Sequence, residues 1–405
     1  MSDPDPTNWT TDTLNNMALG QLKLEFYTSA YTYYMLANNK EEAAKLFPKI
    51  KMTELEQEYK EHISPNVKIM TVKGRRGVFA TKEIEIGHII CNIPLYLCEA
   101  GSKKDLTKYA AKNNIYSRSL PSDIMPSEWS PSKCDQIGVS PMRLILENRI
   151  MKLKEEGKDT DLDDYLHYRA LVGGRNFSDG SVDHLVPFAD MLNHSNKPNV
   201  EWSFKGDYFI MEATEKIKAH EELFDYYGPK SNYETFLYYG FVQPNNTKMD
   251  VVRVIGELPN SIGKARLDPR YFQNAFEFEL RGEYMEGTVE VFSFLRYVRS
   301  GDKKCPETLK GFIKRPVNKE NEIWVCKMLY NMLQQEVHRR VEETRFGVEE
   351  PLAVVLLQSE MRVLVHWGEV LMEALNIMTN NNLKACKKST NDYIVKVIKK
   401  YKFFK

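Results

Sequence analysis

The chain has 405 residues, a length that argues against a single small module and leaves room for two or three domains with cores of their own. Lysine plus arginine number 56 and aspartate plus glutamate number 56, so the formal charge is zero, with 42% hydrophobic and 28% charged residues. This is globular composition, and so even a balance supplies no global field for a polyanion, which argues against direct binding of nucleic acid or an anionic membrane. The six cysteines, Cys91, Cys98, Cys134, Cys305, Cys326 and Cys386, form no C-x-x-C pair and no ligand-like pattern with histidine. Neither a structural zinc site nor a disulfide framework is expected, and no metal. The N-terminal stretch is acidic and polar, and no run of about 18 apolar residues occurs. We therefore expect a reduced, soluble, monomeric protein, cytoplasmic with access to the nucleus.

From Leu14 to about His62 the sequence predicts helices, the second opened by Thr53 with Glu56 in capping-box spacing. Short β-rich runs follow between Val67 and Leu97 (VKIMTV, GVFAT, HIICNIPLYL), punctuated by GRRG and Pro94. Ser140-Pro141 then opens a helix whose face carries Met142, Ile145, Leu146, Ile150 and Leu153 and which ends at Gly157. A second helix is predicted over about Asp161 to Val172. Strands resume with HLVPFA, VEWSF and YFIMEA, the last two forming a hairpin across Lys205-Gly206-Asp207, and then EELFDYYG. Ser231 and Glu234 cap a short helix that Gly240 ends. Beyond Leu267 the pattern predicts helices near Pro269 to Leu280, Thr288 to Ser300, Glu320 to Arg345 and Pro351 to Thr379.

Three β-rich patches are unusually rich in glycine, asparagine and tyrosine: VKGRRGVFATKEIEIGHII, LVPFADMLNHSNKPNVEWSF and EELFDYYGPKSNYETFLYYGFVQPNN. Taken singly each has a plain reading. GRRG suits a hairpin turn, Asn193-His194-Ser195 a capped turn, and the tyrosines ordinary packing.

Taken in order, the patches resemble the SET-domain methyltransferase family. Asn193 to Val200 matches its N-H-S-x-x-P-N motif, and the segment ending in Tyr227-Gly228 its E-E-L-x-x-x-Y-G motif. The ADMLNHS wording, the YGPKSN to YGFVQPNN stretch, the helical insert and the helical C-terminal part are similar to the Rubisco large-subunit methyltransferase class. The resemblance implies an α+β fold: a leader at 1–62, a β-rich SET catalytic domain at 63–256 with a helical insert at about 101–172, and an all-α domain at 257–405 that docks substrate. It implies transfer of a methyl group from S-adenosyl-L-methionine to a lysine side chain of a protein. The donor carries its own positive sulfonium, so the protein's task is alignment. A lysine amine ordinarily titrates near pH 10.4, so presenting its neutral form at pH 7 costs about 4.6 kcal/mol, a cost that the nearby sulfonium and an apolar channel reduce.

By the same resemblance Tyr227 orients the amine at the reacting methyl and is the catalytic residue. Asn193 and His194 hold the cofactor through backbone and amide hydrogen bonds, so His194 need not titrate. Arg76 and Gly77 occupy the turn that brings backbone against the cofactor, Arg175 lies near the donor's carboxylate, and Phe241 packs on its adenine. Phe177 forms a wall of the acceptor channel, which Asp190 and Tyr239 also line. Two positions depart from the family pattern: Arg75 stands where a glycine is expected, with Gly74 displaced by one, and His220 stands for the glycine before E-E-L. The cysteine cluster that closes the channel in many histone-modifying SET proteins is absent, which favours a non-histone protein as substrate. A branch that modifies histidine in actin has a small polar residue and a tryptophan where this chain has Phe177 and Ala189, so lysine is favoured over a protein-histidine N-methyltransferase. A SET-fold binding module without turnover is the third reading that the displaced glycine leaves open. The tail from Lys384 to Lys405 holds eight lysines against Asp392, a pattern that suits a solvated helix face ahead of a nuclear-import or acidic-partner patch.

Overall fold

The computed structural model describes residues 10–23, 37, 42, 45, 52–72, 75–121, 124–138, 140–244, 246, 248–257, 275–282, 288–300, 318–344 and 348–380. Gly74, much of the leader, Cys305, Cys386 and the lysine-rich tail lie outside the described residues. By contact the chain divides into two units, Met1–Asp123 with Gly157–Gly228, and Ile124–Glu156 with Pro229–Lys405. This is a different division from the one by motif: its last boundary falls at Gly228, and it assigns 124–156 of the expected insert to the second unit.

Among the described residues the first unit has ten short strands. They are β1 (Val67–Val72), β2 (Arg75–Ala80), β3 (Ile89–Pro94), β4 (Glu99–Gly101), β5 (Asn176–Ser178), β6 (Asp183–Leu185), β7 (Asn193–His194), β8 (Val200–Lys205), β9 (Tyr208–Ala213) and β10 (Glu222–Asp225). Three small sheets result, in the orders β1-β2-β10-β7, β3-β9-β8 and β4-β6-β5. The β1–β2 register pairs Val72 with Arg75. As expected, β8 and β9 form a hairpin with Lys205 opposite Tyr208, and Gly206 takes φ 58°, the left-handed conformation glycine adopts without strain. One core gathers Val78, Ile90, Ile93, Val186, Phe188, Phe209, Met211 and Leu223, with Leu55 from the short helix Glu54–Glu58. That helix opens with the predicted capping box between Thr53 and Glu56.

The expected strand HLVPFA is only partly a strand. After Leu185 the chain turns through Phe188, whose φ is 72°, into the 3-10 turn Ala189–Met191. This break buries Asp190 and delivers the chain to β7. The helices Lys103–Ala110 and Leu162–Gly173 contribute Leu106, Ala110 and Val172 to a satellite core with Leu185 and Tyr116.

The second unit contains the helix Pro141–Glu156, which packs Met142 and Leu146 against Trp129, Tyr233, Phe236 and Leu356. Ser231 and Glu234 form the expected capping box, and the helix runs on as a π-turn, Thr235–Tyr239, ended by Gly240 at φ 72°. A Cβ on Gly240 would also lie 2.8 Å from Met125 Sδ. The helix expected near Pro269 to Leu280 is corrected: Ala275–Arg281 is a strand, β12, paired antiparallel with β11 (Val251–Glu257). Its alternation of Phe276, Phe278 and Leu280 with Glu277 and Glu279 has period two, and Arg253 on β11 ion-pairs with both glutamates, at 3.3 and 3.1 Å. Helices Thr288–Ser300, Lys319–Thr344 and Pro351–Asn380 complete the unit, close to their expected bounds. The two longer ones bury Val325, Leu329 and Leu333 together with Leu364, Trp367 and Leu371. No helix among the described residues is long and apolar enough to cross a membrane.

Candidate active site

The parallel pairing of β7 with β10 puts Asn193 beside Phe224 and His194 beside Asp225. The stretch that follows β7 stays laced to β10: Ser195 N donates to Asp225 O at 2.9 Å, Phe224 N donates to Asn199 Oδ1 at 2.7 Å, and Asn199 Nδ2 donates to Glu222 O at 2.9 Å. The two asparagines of the N-H-S-x-x-P-N run thus serve different ends. Asn199 satisfies backbone groups, whereas Asn193 faces β2.

Asn193 donates both amide hydrogens, to the carbonyl of Arg76 and to Glu222 Oε1, each at 2.6 Å. Its Oδ1 is left as an acceptor. Burial pushes the Glu222 carboxyl up, with the Asn193 bond and the Arg75 charge opposing. A Cβ on Gly77 would overlap Glu222 Oε1 and lie 2.9 Å from Asn193 Nδ2. A side chain at 77 would therefore have to displace the Asn193–Glu222 pair.

Arg175 Nη1 donates to Asp190 O at 2.7 Å and to Asp190 Oδ2 at 3.2 Å. The same Oδ2 accepts from the Tyr116 hydroxyl at 2.9 Å. The side chain of Asp190 is fully buried, that of Arg175 one-fifth exposed. Burial is the largest influence on Arg175 and disfavours the guanidinium charge, but the Asp190 charge and hydrogen bond together with Tyr116 and Tyr227 outweigh it, and Arg175 is held above its ordinary pKa. Burial, reinforced by Asp190, drives the Tyr116 phenol well above its ordinary value. Asp190, expected in the acceptor pocket, is placed by the structure in this buried ion pair.

Tyr227 follows β10 and is fixed at two points. Its backbone N–H donates to His194 Nδ1 at 3.1 Å, and its hydroxyl donates to Leu192 O at 2.6 Å. An N–H donated to Nδ1 requires the ring's lone pair there, so His194 is neutral with its proton on Nε2, an assignment from the bonding pattern. Arg76, at the other expected contact, donates Nη1 to Ser119 O. Phe177 is buried against Trp202 and Phe209, with ring centroids 5.2 and 4.9 Å apart.

The structure thus brings Arg76, Gly77, Arg175, Phe177, Asp190, Asn193, His194 and Tyr227 into one unit. Tyr239 and Phe241 lie in the other, at the end of the π-turn, with their rings 6.2 Å apart. Of the two departures from the family pattern, Arg75 sits in ordinary strand backbone opposite Val72, while His220 takes φ 68°. The expected glycine therefore had a backbone reason at 220 and none at 75. Glu222, Tyr116 and Ser119 were not anticipated as supports. Glu222 was visible in the E-E-L run; the other two carry no sequence signal.

Residues 75–228 match the SET-domain family model, and the segment holding these contacts is a SET domain. The fold of the chain is similar to that of solved Rubisco LSMT structures. The crystal structure of the SET domain of LSMT bound to lysine and AdoHcy has the same fold, at TM-score 0.57 and 18% identity over 88% of this chain and 98% of that one. Among relatives, the N-lysine methyltransferase SETD6 of Mus musculus is 40% identical over 65 residues, 16% of this chain and 14% of its own length. The chloroplastic ribulose-1,5-bisphosphate carboxylase/oxygenase large subunit N-methyltransferase of Nicotiana tabacum is 25% identical over 249 residues, 52% of this chain and 50% of its own. The chain thus spans half or less of the length of these two relatives.

Proposed function

We propose that the chain is an S-adenosylmethionine-dependent protein-lysine N-methyltransferase that acts on a non-histone protein. The observation that carries this reading is the double anchoring of Tyr227, by Leu192 O and His194 Nδ1, beside Asn193 and within the same unit as Arg175. The donor set suits the amino-acid end of S-adenosylmethionine. Arg175 offers the guanidinium edge not spent on Asp190 to a carboxylate, and Asn193 Oδ1 with Glu222 offers acceptors to an ammonium. When bound, the cofactor supplies an electrophilic methyl on a sulfonium.

The chain's own residues then have three tasks. The Tyr227 phenol, held at 2.6 Å from Leu192 O, is oriented with its lone pairs away from that carbonyl, where they can accept from the acceptor amine and fix its line of approach. Phe177, with Trp202 and Phe209, supplies an apolar wall that lowers the pKa of a lysine amine brought against it. Neutral His194 fixes the backbone of Tyr227 without exchanging a proton. A non-histone substrate is supported by the cysteine spacing and the helical second unit.

The test is to incubate the full chain and a Tyr227→Phe variant with labelled S-adenosylmethionine and a cell lysate. At least one protein band should be labelled, Tyr227→Phe should lose most of the label, and amino-acid analysis should find methyl-lysine. Binding of S-adenosylmethionine without labelling by either protein would overturn transfer in favour of a binding module, and methyl-histidine would overturn the choice of acceptor.

A further inference from the structure

We infer that Tyr116, on the five-residue helix Ile115–Ser119 of the insert, is a positioning residue that sets Arg175 for the carboxylate of the methyl donor, acting through Asp190. This deepens the proposed function and rests on it.

The Asp190 side chain is fully buried, and among the described residues its Oδ1 has no hydrogen-bond partner. The orientation of the carboxylate is therefore set by what reaches Oδ2, namely the Tyr116 hydroxyl at 2.9 Å and Arg175 Nη1 at 3.2 Å. With both in place the Asp190 carboxylate engages Arg175 Nη1 through one oxygen only, beside the Asp190 carbonyl that accepts from the same nitrogen at 2.7 Å, and the rest of the guanidinium fork stays available. Without the Tyr116 hydroxyl no other hydrogen-bond donor among the described residues besides Arg175 holds the carboxylate, which can then turn to meet the fork with both oxygens, the geometry that arginine and carboxylate prefer. The guanidinium would then be spent inside the protein.

The helix that carries Tyr116 is itself held firmly. Asn114 and Ser117 form a capping box, Ser117 Oγ donates to the backbone of Asn114 at 2.9 Å, and the Tyr116 ring is buried with Leu106, Ala110, Val172 and Leu185. Its last residue, Ser119, accepts through its carbonyl from Arg76. One short insert helix thus reaches Arg76 directly and Arg175 through Asp190, and it is the Tyr116 arm that acts on the guanidinium set for the donor's carboxylate.

The test compares S-adenosylmethionine with decarboxylated S-adenosylmethionine, which keeps adenine, ribose, sulfonium and amine and lacks only the carboxylate. Calorimetric titration of the full chain should show Tyr116→Phe weakening S-adenosylmethionine by about 10-fold, the scale of one hydrogen bond to a charged group, and the decarboxylated probe by less than about twofold. In an Arg175→Ala background the Tyr116→Phe step should change neither Kd by more than about twofold, since the two residues act as one unit. Equal losses on both probes, no loss on either, or an undiminished loss without Arg175 would overturn the inference. Wild-type protein that binds neither probe would overturn the functional reading itself, an outcome distinct from the others. The unfolding midpoint of Tyr116→Phe, measured alongside, separates lost positioning from lost fold.

Discussion

Glu360 offers the sharpest test of how the second unit is held together. It is 0% exposed. Its Oε1 accepts from Ser140 Oγ at 2.6 Å and from the Tyr233 hydroxyl, and its Oε2 accepts from Arg340 Nη1. Arg340 is equally buried and turns its Nε to Glu336 Oε1 at 2.8 Å. One carboxylate therefore ties together Pro141–Glu156, Lys319–Thr344, Pro351–Asn380 and the segment that Ser231 caps. Glu360→Ala removes the acceptor from two hydroxyls and leaves Arg340 with Glu336 alone. Breaking a buried pair from one side costs about 3–5 kcal/mol because the remaining charge stays desolvated; the orphaned hydroxyls are part of the same non-additive loss. For domains of this size about 2–4 °C accompany each kcal/mol, so the midpoint should fall by roughly 6–20 °C in a thermal scan followed by circular dichroism. A double variant, Glu360→Leu with Arg340→Met, should recover a large part of that loss, since it removes both charges and fills their space. A Glu360→Ala cost below about 1 kcal/mol would refute the reasoning, because it would mean that water or another cation already serves this carboxylate.

Two further predictions follow from the backbone and from buried acids. His220 at φ 68° should be more stable as Gly than as Ala by about 1 kcal/mol, the reverse of the order at ordinary φ; urea unfolding of the two variants decides, and Ala above Gly would refute the left-handed conformation. Burial pushes Asp225 up to about 6 and Asp250 up to about 7, against about 3.9 in an unfolded chain. The native state then holds more protons than the unfolded state from about pH 4 to pH 7, so the contribution of these groups to stability falls as pH rises through that window. Asp250→Asn, which cannot ionise and keeps an acceptor for Asn232 N, should flatten the fall of the unfolding midpoint; an unchanged slope would count against it.

What the sequence made legible was local chemistry. The Thr53–Glu56 and Ser231–Glu234 caps, the 205–208 turn and the bounds of the long helices depend on groups three or four residues apart, and each is found where spacing put it. The strand Ala275–Arg281 was misread because the helical texture around it hid its period of two, and because its partner lies across Val251–Glu257. The site divides in the same way. Asn193, His194 and Tyr227 announce themselves in contiguous motifs. Tyr116 meets Asp190 across 74 positions and Ser140 meets Glu360 across 220, and nothing in either local sequence prepares for the other.

Long-range closure also bears on how folding and cofactor binding relate. Asn193 reaches Arg76 across 117 positions, and Glu222 across 29. Each loop must close before its bond can form, so none of these contacts survives in an unfolded chain and the proposed donor site exists only in the folded unit. A ligand that needs Asn193, Arg175 and Tyr227 together therefore binds the native state alone, and at 100 times its Kd it adds about 2.7 kcal/mol to stability. Gly77 is the narrow point of this arrangement: with a Cβ there, Glu222 and Asn193 have to give way, and on the proposed function the same movement would displace the acceptors offered to the donor's ammonium. Glycine at this position thus protects a contact between two side chains, and through it the shape of the ground on which the methyl donor would lie.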